Sequence, residues 1–221
     1  MKRPFIINFK NYEEVSAANA VKLAKAAERV AKKLKVEIVV APPQPSLAVV
    51  AKSVKIPVIC QHVDDAKIGS TTGFFVPEIT KSCGAAGSLI NHSEHRIEMK
   101  SIASLVERMR KLGMTSIVCA RDPQEVLEIS AFEPDFIAIE PPELIGSGRA
   151  VSKENPAIIT RSIEAAGSRS RVICGAGITD GSDIAKAIEL GSHGILVASG
   201  IVKAESWAAK ISELALGMKK K

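Results

Sequence analysis

Short, almost continuously apolar runs recur along the chain at 5–9, 36–41, 56–60, 87–90, 116–119, 136–139, 171–174 and 194–197. They have strand length, and because they do not alternate cleanly with polar residues, both of their faces are expected to be covered, as in a parallel sheet. Between them the apolar positions move to three- and four-residue spacing. This predicts amphipathic helices over 17–34, 102–112, 156–166, 182–190 and 205–216, and shorter ones over 46–52 and 78–82. Helix starts are marked by Ser46 before an apolar run, by Asp122-Pro123 with Glu125, and by Ser182-Asp183 after Gly181. Eight strand–helix units in 221 residues, with no composition break or linker, predict one domain over 1–221 and a closed (β/α)8 barrel. A doubly wound sheet is the alternative. No GxGxxG follows the first run, so a dinucleotide site has little support.

In such a barrel the chemistry belongs at the C-terminal ends of the strands. The first run leads into Asn8 and Lys10, the fourth into His92, Ser93 and Glu94, and the sixth into Glu140. Glu140 opens onto Pro141-Pro142, which disfavour helix and remove two backbone donors, and then onto Gly146 and Gly148. A segment stiff at its start and permissive at its end suits a lid, although an ordinary solvent-facing loop has the same composition. Glu143 is expected to face water. The seventh and eighth runs end in Gly175-Ala176-Gly177 and Ala198-Ser199-Gly200. Small residues there expose backbone N–H groups just ahead of helices, which is what a phosphate requires.

Composition narrows the classes further. Apolar residues make up 46% of the chain but aromatic ones only 4%, so the core must be aliphatic and base-stacking platforms are not expected. The formal charge of +6 comes from basic residues spread along amphipathic segments, a weak attraction for anions and no nucleic-acid footprint. Cys60, Cys83, Cys119 and Cys174 lack metal-ligand spacing, and three of them end apolar runs. They fit buried thiols in a reducing cytoplasm. His62, His95 and His193 show no ligand pattern either, so neither metal nor cofactor is expected. No leader precedes Phe5 and no apolar stretch approaches bilayer length, so no membrane association is expected. The tail Lys219-Lys220-Lys221 reads as a solvated end.

Taken together, Asn8-Phe9-Lys10, Asn91-His92-Ser93-Glu94-His95-Arg96, Ile139-Glu140-Pro141 with Ile145-Gly146-Ser147-Gly148, Cys174-Gly175-Ala176-Gly177 and Leu196-Val197-Ala198-Ser199-Gly200 resemble the triosephosphate isomerase family, in the family's order and from end to end. The short chain, and a lid reading Pro-Pro-Glu-Leu where a tryptophan is usual, resemble its compact archaeal branch. The resemblance implies a TIM barrel that interconverts dihydroxyacetone phosphate and glyceraldehyde 3-phosphate through an enediolate, in glycolysis and gluconeogenesis, without a cofactor. It implies Glu140 as base and His92 as electrophile, the family being the standard case of a neutral imidazole in that role. It also implies Lys10 as a fixed charge, Asn8 as a positioning group and Glu94 in support. The phosphate would be bound by Asn8, Lys10, Ile145, Gly146, Gly175, Gly177, Ala198 and Ser199. A homo-oligomer, dimer or tetramer, is implied too, with the loop 63–76 and its Ile68, Phe74 and Phe75 at the interface. Two other readings stay open: a different phosphate-binding barrel enzyme, which would need room for a larger substrate, and a non-catalytic phosphosugar binder, which would not need His92, Lys10 and Glu140 together. A Schiff-base aldolase would need a lysine where this chain has Glu140.

Overall fold

A computed structural model describes residues 1–219; Lys220 and Lys221, and with them most of the expected solvated tail, lie outside the described residues. Among the described residues seven parallel strands, β1 (Phe5–Asn8), β2 (Ile38–Ala41), β3 (Gly87–Ile90), β4 (Thr115–Ala120), β5 (Phe136–Ile139), β6 (Arg171–Cys174) and β7 (Ile195–Val197), pair in the order β2-β1-β7-β6-β5-β4-β3. The third expected strand, 56–60, is the exception. It makes only isolated bridges, Val58 to Val40 on one side and Cys60 to Ser88 on the other. Pro57 has no N–H to give the ladder, so regular pairing cannot begin before Val58. Even so, Ile59 N donates to Val40 O at 2.9 Å and Cys60 N to Gly87 O at 2.9 Å, which joins β2 to β3 and closes the ring.

The strands sort their side chains by parity. Ile6, Val39, Ile59, Leu89, Ile117, Cys119, Phe136, Ala138, Ile173 and Leu196 form one buried cluster inside the barrel. Their strand neighbours, such as Ile7, Val40, Ile137 and Val172, join the larger layer beneath the helices. Those helices are α1 (Ala18–Leu34), α2 (Leu47–Ser53), α3 (Pro77–Ser82), α4 (Met99–Leu112), α5 (Pro123–Ser130), α6 (Val151–Glu154), α7 (Pro156–Ala166), α8 (Gly181–Glu189), α9 (Ser199–Val202) and α10 (Trp207–Gly217). Continuous apolar runs are therefore two alternating faces, each covered by a different layer.

Helix starts follow local chemistry with two corrections. Asp122 caps α5, accepting from Glu125 N at 2.8 Å, as expected. Ser46 makes no side-chain cap, because Gln44–Ser46 is already a 3₁₀ turn and Ser46 itself has helical angles. The cap of α8 is Asp180, ahead of the expected Ser182-Asp183: it accepts from Ser182 N and Asp183 N, and Asp183 returns a bond to Asp180 N, forming a capping box. After β5 the two prolines exclude an α-helix but allow one 3₁₀ turn, Pro142–Leu144, since proline is tolerated in a first turn.

Candidate active site

Parity also delivers the site. Glu140 continues the inward set Phe136 and Ala138, Asn8 continues from Ile6, and Gly175 from Ile173. All three therefore arrive at the barrel's C-terminal mouth on the inside. There a cavity of about 250 Å³ is lined by Asn8, Lys10, His92, Glu140, Ile145 and Gly146 together with Gly177, Ala198 and Ser199.

Three residues other than glycine take left-handed angles at this rim: Lys10 (φ 49), Asn91 (φ 62) and Ala176 (φ 66). Such strain persists only where neighbours fix it. Lys10 N donates to Asn8 Oδ1 at 3.0 Å, and Gln61 Nε2 donates to Lys10 O at 2.9 Å. Asn91 Nδ2 donates to Cys119 O at 3.0 Å while its Oδ1 accepts from Ile97 N at 3.1 Å, which folds the 91–97 turn that carries His92. The adjacent loop is braced by an ion pair between Arg96 and the buried Glu125 carboxylate, whose other oxygen accepts from Arg121 N at 2.8 Å.

The polar groups converge in a definite order. Glu94 N lies 3.2 Å from His92 Nδ1 and donates to it. An acceptor Nδ1 has no proton, so the ring is neutral with its hydrogen on Nε2. Nε2 is 3.7 Å from Glu140 Oε2. On the other side Lys10 Nζ lies 2.8 Å from Glu94 Oε1, which holds the ammonium at the cavity wall. Glu140 is 7% exposed, and its Oε2 is buried without a hydrogen-bond partner among the described residues. Buried carboxylate oxygens are nearly always satisfied, so an unpartnered one on a residue that lines a cavity marks a candidate functional group.

Burial, and next the nearby Glu140 carboxylate, push the Cys119 and Cys174 thiols well up, so both stand beside it as neutral groups. Gly175, expected to contact phosphate, does not line the cavity. Its missing side chain makes room for Glu140, since a Cβ there would lie 2.5 Å from Glu140 Cγ. Glu94 likewise stands outside this cavity, in a neighbouring one, and reaches it through Lys10 and His92. Gly177 lines the cavity at φ 70 and touches the end of the loop that follows Glu140, where a Cβ would collide with Arg149 O. Ser199 opens α9, whose first N–H groups have no intrahelical acceptor. Glu143 is exposed.

Two lining residues had no clear sequence signal. Tyr12 and Lys203 meet across the rim, with Nζ 4.8 Å from the ring centroid. Lys203 follows Ser199 by one helical turn, which brings it back over the same mouth. No cluster of three His, Cys, Asp or Glu residues able to hold a metal occurs among the described residues.

Fold and site define a (β/α)8 barrel in which a carboxylate, a neutral imidazole and an ammonium face a backbone-lined pocket at the C-terminal mouth. The family model described as triosephosphate isomerase matches residues 4–214. Relatives named triosephosphate isomerase include one from Cenarchaeum symbiosum (strain A), 52% identical over 215 residues and covering 96% of each chain. Others are from Caldivirga maquilingensis, 48% identical over 219 residues with 97% of each chain covered, and Methanothermus fervidus, 44% identical with 97% of this chain and 98% of that protein covered. The chain belongs to the triosephosphate isomerase family.

Proposed function

We propose that the protein interconverts dihydroxyacetone phosphate and D-glyceraldehyde 3-phosphate, in glycolysis and gluconeogenesis, with one barrel domain spanning the chain. The observation that carries this reading is the buried, unpartnered Oε2 of Glu140, 3.7 Å from the Nε2–H of a neutral His92. An aldose–ketose shift beside a carbonyl needs a base for the carbon acid and a donor for the oxygen that gains charge. Glu140 takes the proton from carbon; the electron pair of that C–H bond becomes the C=C bond of the enediolate, and the carbonyl π pair moves onto its oxygen. His92 Nε2 gives its proton to that oxygen and takes up the proton of the neighbouring hydroxyl, whose oxygen becomes the new carbonyl, so the imidazole ends neutral as it began. Lys10 Nζ supplies a fixed positive charge, Asn8 holds Lys10 and the substrate in register, and Glu94 fixes the imidazole tautomer and the ammonium. Glu140 then returns the proton to the adjacent carbon, so nothing is consumed.

The phosphate is bound by backbone near Ile145, Gly146, Gly177, Ala198 and Ser199, with Lys203 adding charge at the rim. The cavity's size supports a triose rather than a larger sugar. Ile68, Phe74 and Phe75 are 61%, 54% and 40% exposed, which supports a homo-oligomer, dimer or tetramer, formed through the loop 63–76. The four cysteines are free, which supports a reducing cytoplasm. No helix among the described residues is long and apolar enough to cross a membrane. A coupled assay on purified protein tests the proposal in both directions. Turnover of both triose phosphates is expected, and binding without turnover would overturn it.

A further inference from the structure

The far end of the lid is tied to the loop after β6 by a set of contacts that the reaction itself does not use. Ser152 Oγ, at the start of α6, donates to Asp183 O at 2.9 Å. The next residue, Lys153, places Nζ 2.6 Å from Asp183 Oδ1, 3.5 Å from Asp180 Oδ2 and 2.9 Å from Ser182 Oγ. Asp183 is 1% exposed and divides its two oxygens. Oδ1 meets Lys153, while Oδ2 accepts from Thr179 N at 2.8 Å, Thr179 Oγ1 at 3.0 Å and Asp180 N at 3.1 Å. Ile178 and Thr179 line the cavity, and Gly177 just before them lies against Arg149 O of the lid. One carboxylate therefore bridges the lid's distal anchor and the wall of the anion pocket.

We infer that Lys153 and Asp183 form a latch that sets the lid's distal hinge against the 177–179 loop, making Lys153 a positioning residue for the phosphate-bearing substrate. The geometry favours this over a purely structural ion pair. A capping box needs Asp183 only for Asp180 N, a bond made by Oδ2, so the Lys153 contact on Oδ1 is additional to what α8 requires. Lys153 is half-exposed and packs no core, and its removal leaves in place the bonds that Asp183 Oδ2 makes to Thr179 and Asp180. What it removes is the charge that holds 150–153 over the pocket wall, and a lid that engages less well binds the anion less tightly.

This inference rests on the proposed function, but its test can be read separately. Lys153→Met should raise KM for triose phosphate and the inhibition constant of inorganic phosphate together by about 3- to 10-fold, the range over which such couplings act, with kcat within about 2-fold of the parent. Lys153→Arg should restore both constants. Trypsin should cut after the exposed Arg149 faster in Lys153→Met, and added phosphate should protect it less. Lys186→Met, which breaks an exposed pair with Glu189 on the same α8, is the control and should match the parent. A folded Lys153→Met with parental KM and phosphate constant overturns the latch, even if cleavage is faster, because the pair would then be a fold contact only. If the parent proves to lack isomerase turnover, the functional reading falls, while phosphate affinity by calorimetry still decides the latch.

Discussion

Replacing Gly175 with alanine perturbs Glu140 without touching it. The backbone at Gly175 lies outside the left-handed region, so alanine suits its conformation, and the only obstacle is the new methyl group. That Cβ would sit 2.5 Å from Glu140 Cγ, 2.8 Å from Oε1 and 2.9 Å from Cδ. Since carbon atoms rest at about 3.5–4.0 Å, the side chain must retreat by roughly 1 Å. Neither main chain can give way instead: Gly175 N is bonded to Ile139 O at 3.0 Å and Glu140 N to Ala120 O at 2.9 Å. The displaced atoms are the mobile end of one side chain, so the stability cost belongs at the low end of the ~1–3 kcal/mol that overpacking brings. A 1 Å error in a catalytic group costs about 10²-fold in rate. Steady-state kinetics should therefore show kcat down by about that factor with KM near the parent's, in a protein that melts only slightly earlier. Glu140→Ala, which removes Cγ and everything beyond it, should lose rate on its own, and adding Gly175→Ala to it should cost little more. A folded Gly175→Ala with kcat within about threefold of the parent would refute the buttress.

Further outcomes follow from burial and exposure. Cys83 should react with a thiol reagent in the native protein while Cys60, Cys119 and Cys174 react only after denaturation, burial being the chief cause that raises the Cys60 thiol to about 12; rapid native reaction of all four would contradict this. His62 is held below the ordinary 6.5 first by burial and then by His95, stacked at 3.7 Å, against the opposing pull of Asp64. The folded state thus binds fewer protons at His62 than the unfolded chain does, so stability is fully present above about pH 6.5 and falls as pH drops below it. Melting temperatures for His62→Gln should fall less steeply between about pH 7 and 5, and an unchanged slope would dismiss the assignment. Light scattering at micromolar concentration should find a homo-oligomer, and a fully active monomer would count against the loop 63–76 as its interface.

Elements that speak through local pattern were legible in the sequence. Seven of the eight apolar runs are strands, and the helix over 156–166 has the expected bounds. Where the reading failed, a nonlocal or competing local preference was responsible. Pro57 reduced a strand to bridges, a 3₁₀ turn displaced the Ser46 cap, and Asp180 took the α8 cap one residue before Gly181. Asn8, Lys10, His92 and Glu140 could be placed around one cavity because they stand at or just beyond strand ends. Gly175 could not, because a glycine gives the same signal whether it faces a ligand or a neighbouring side chain. The Lys153–Asp183 pair was equally silent, its partners lying on different elements that only barrel closure brings together. Tyr12 and Lys203 meet across the two ends of the chain for the same reason.

The central claim is that Glu140 moves the substrate's carbon-bound proton, and one paired measurement tests it most directly. Glu140→Gln keeps the shape and removes the basic oxygen, while the exposed Glu143→Gln makes the same change of charge three residues further on. Exchange of that proton with solvent deuterium, followed by NMR beside steady-state turnover, separates loss of the base from any general effect on charge or fold. For Glu140→Gln the expected result is a fall of about 10²–10⁴-fold in both exchange and kcat with little change in KM, since the lost interaction belongs to the transition state. Glu143→Gln should behave as the parent. Near-parental exchange and turnover in a folded Glu140→Gln would contradict the account.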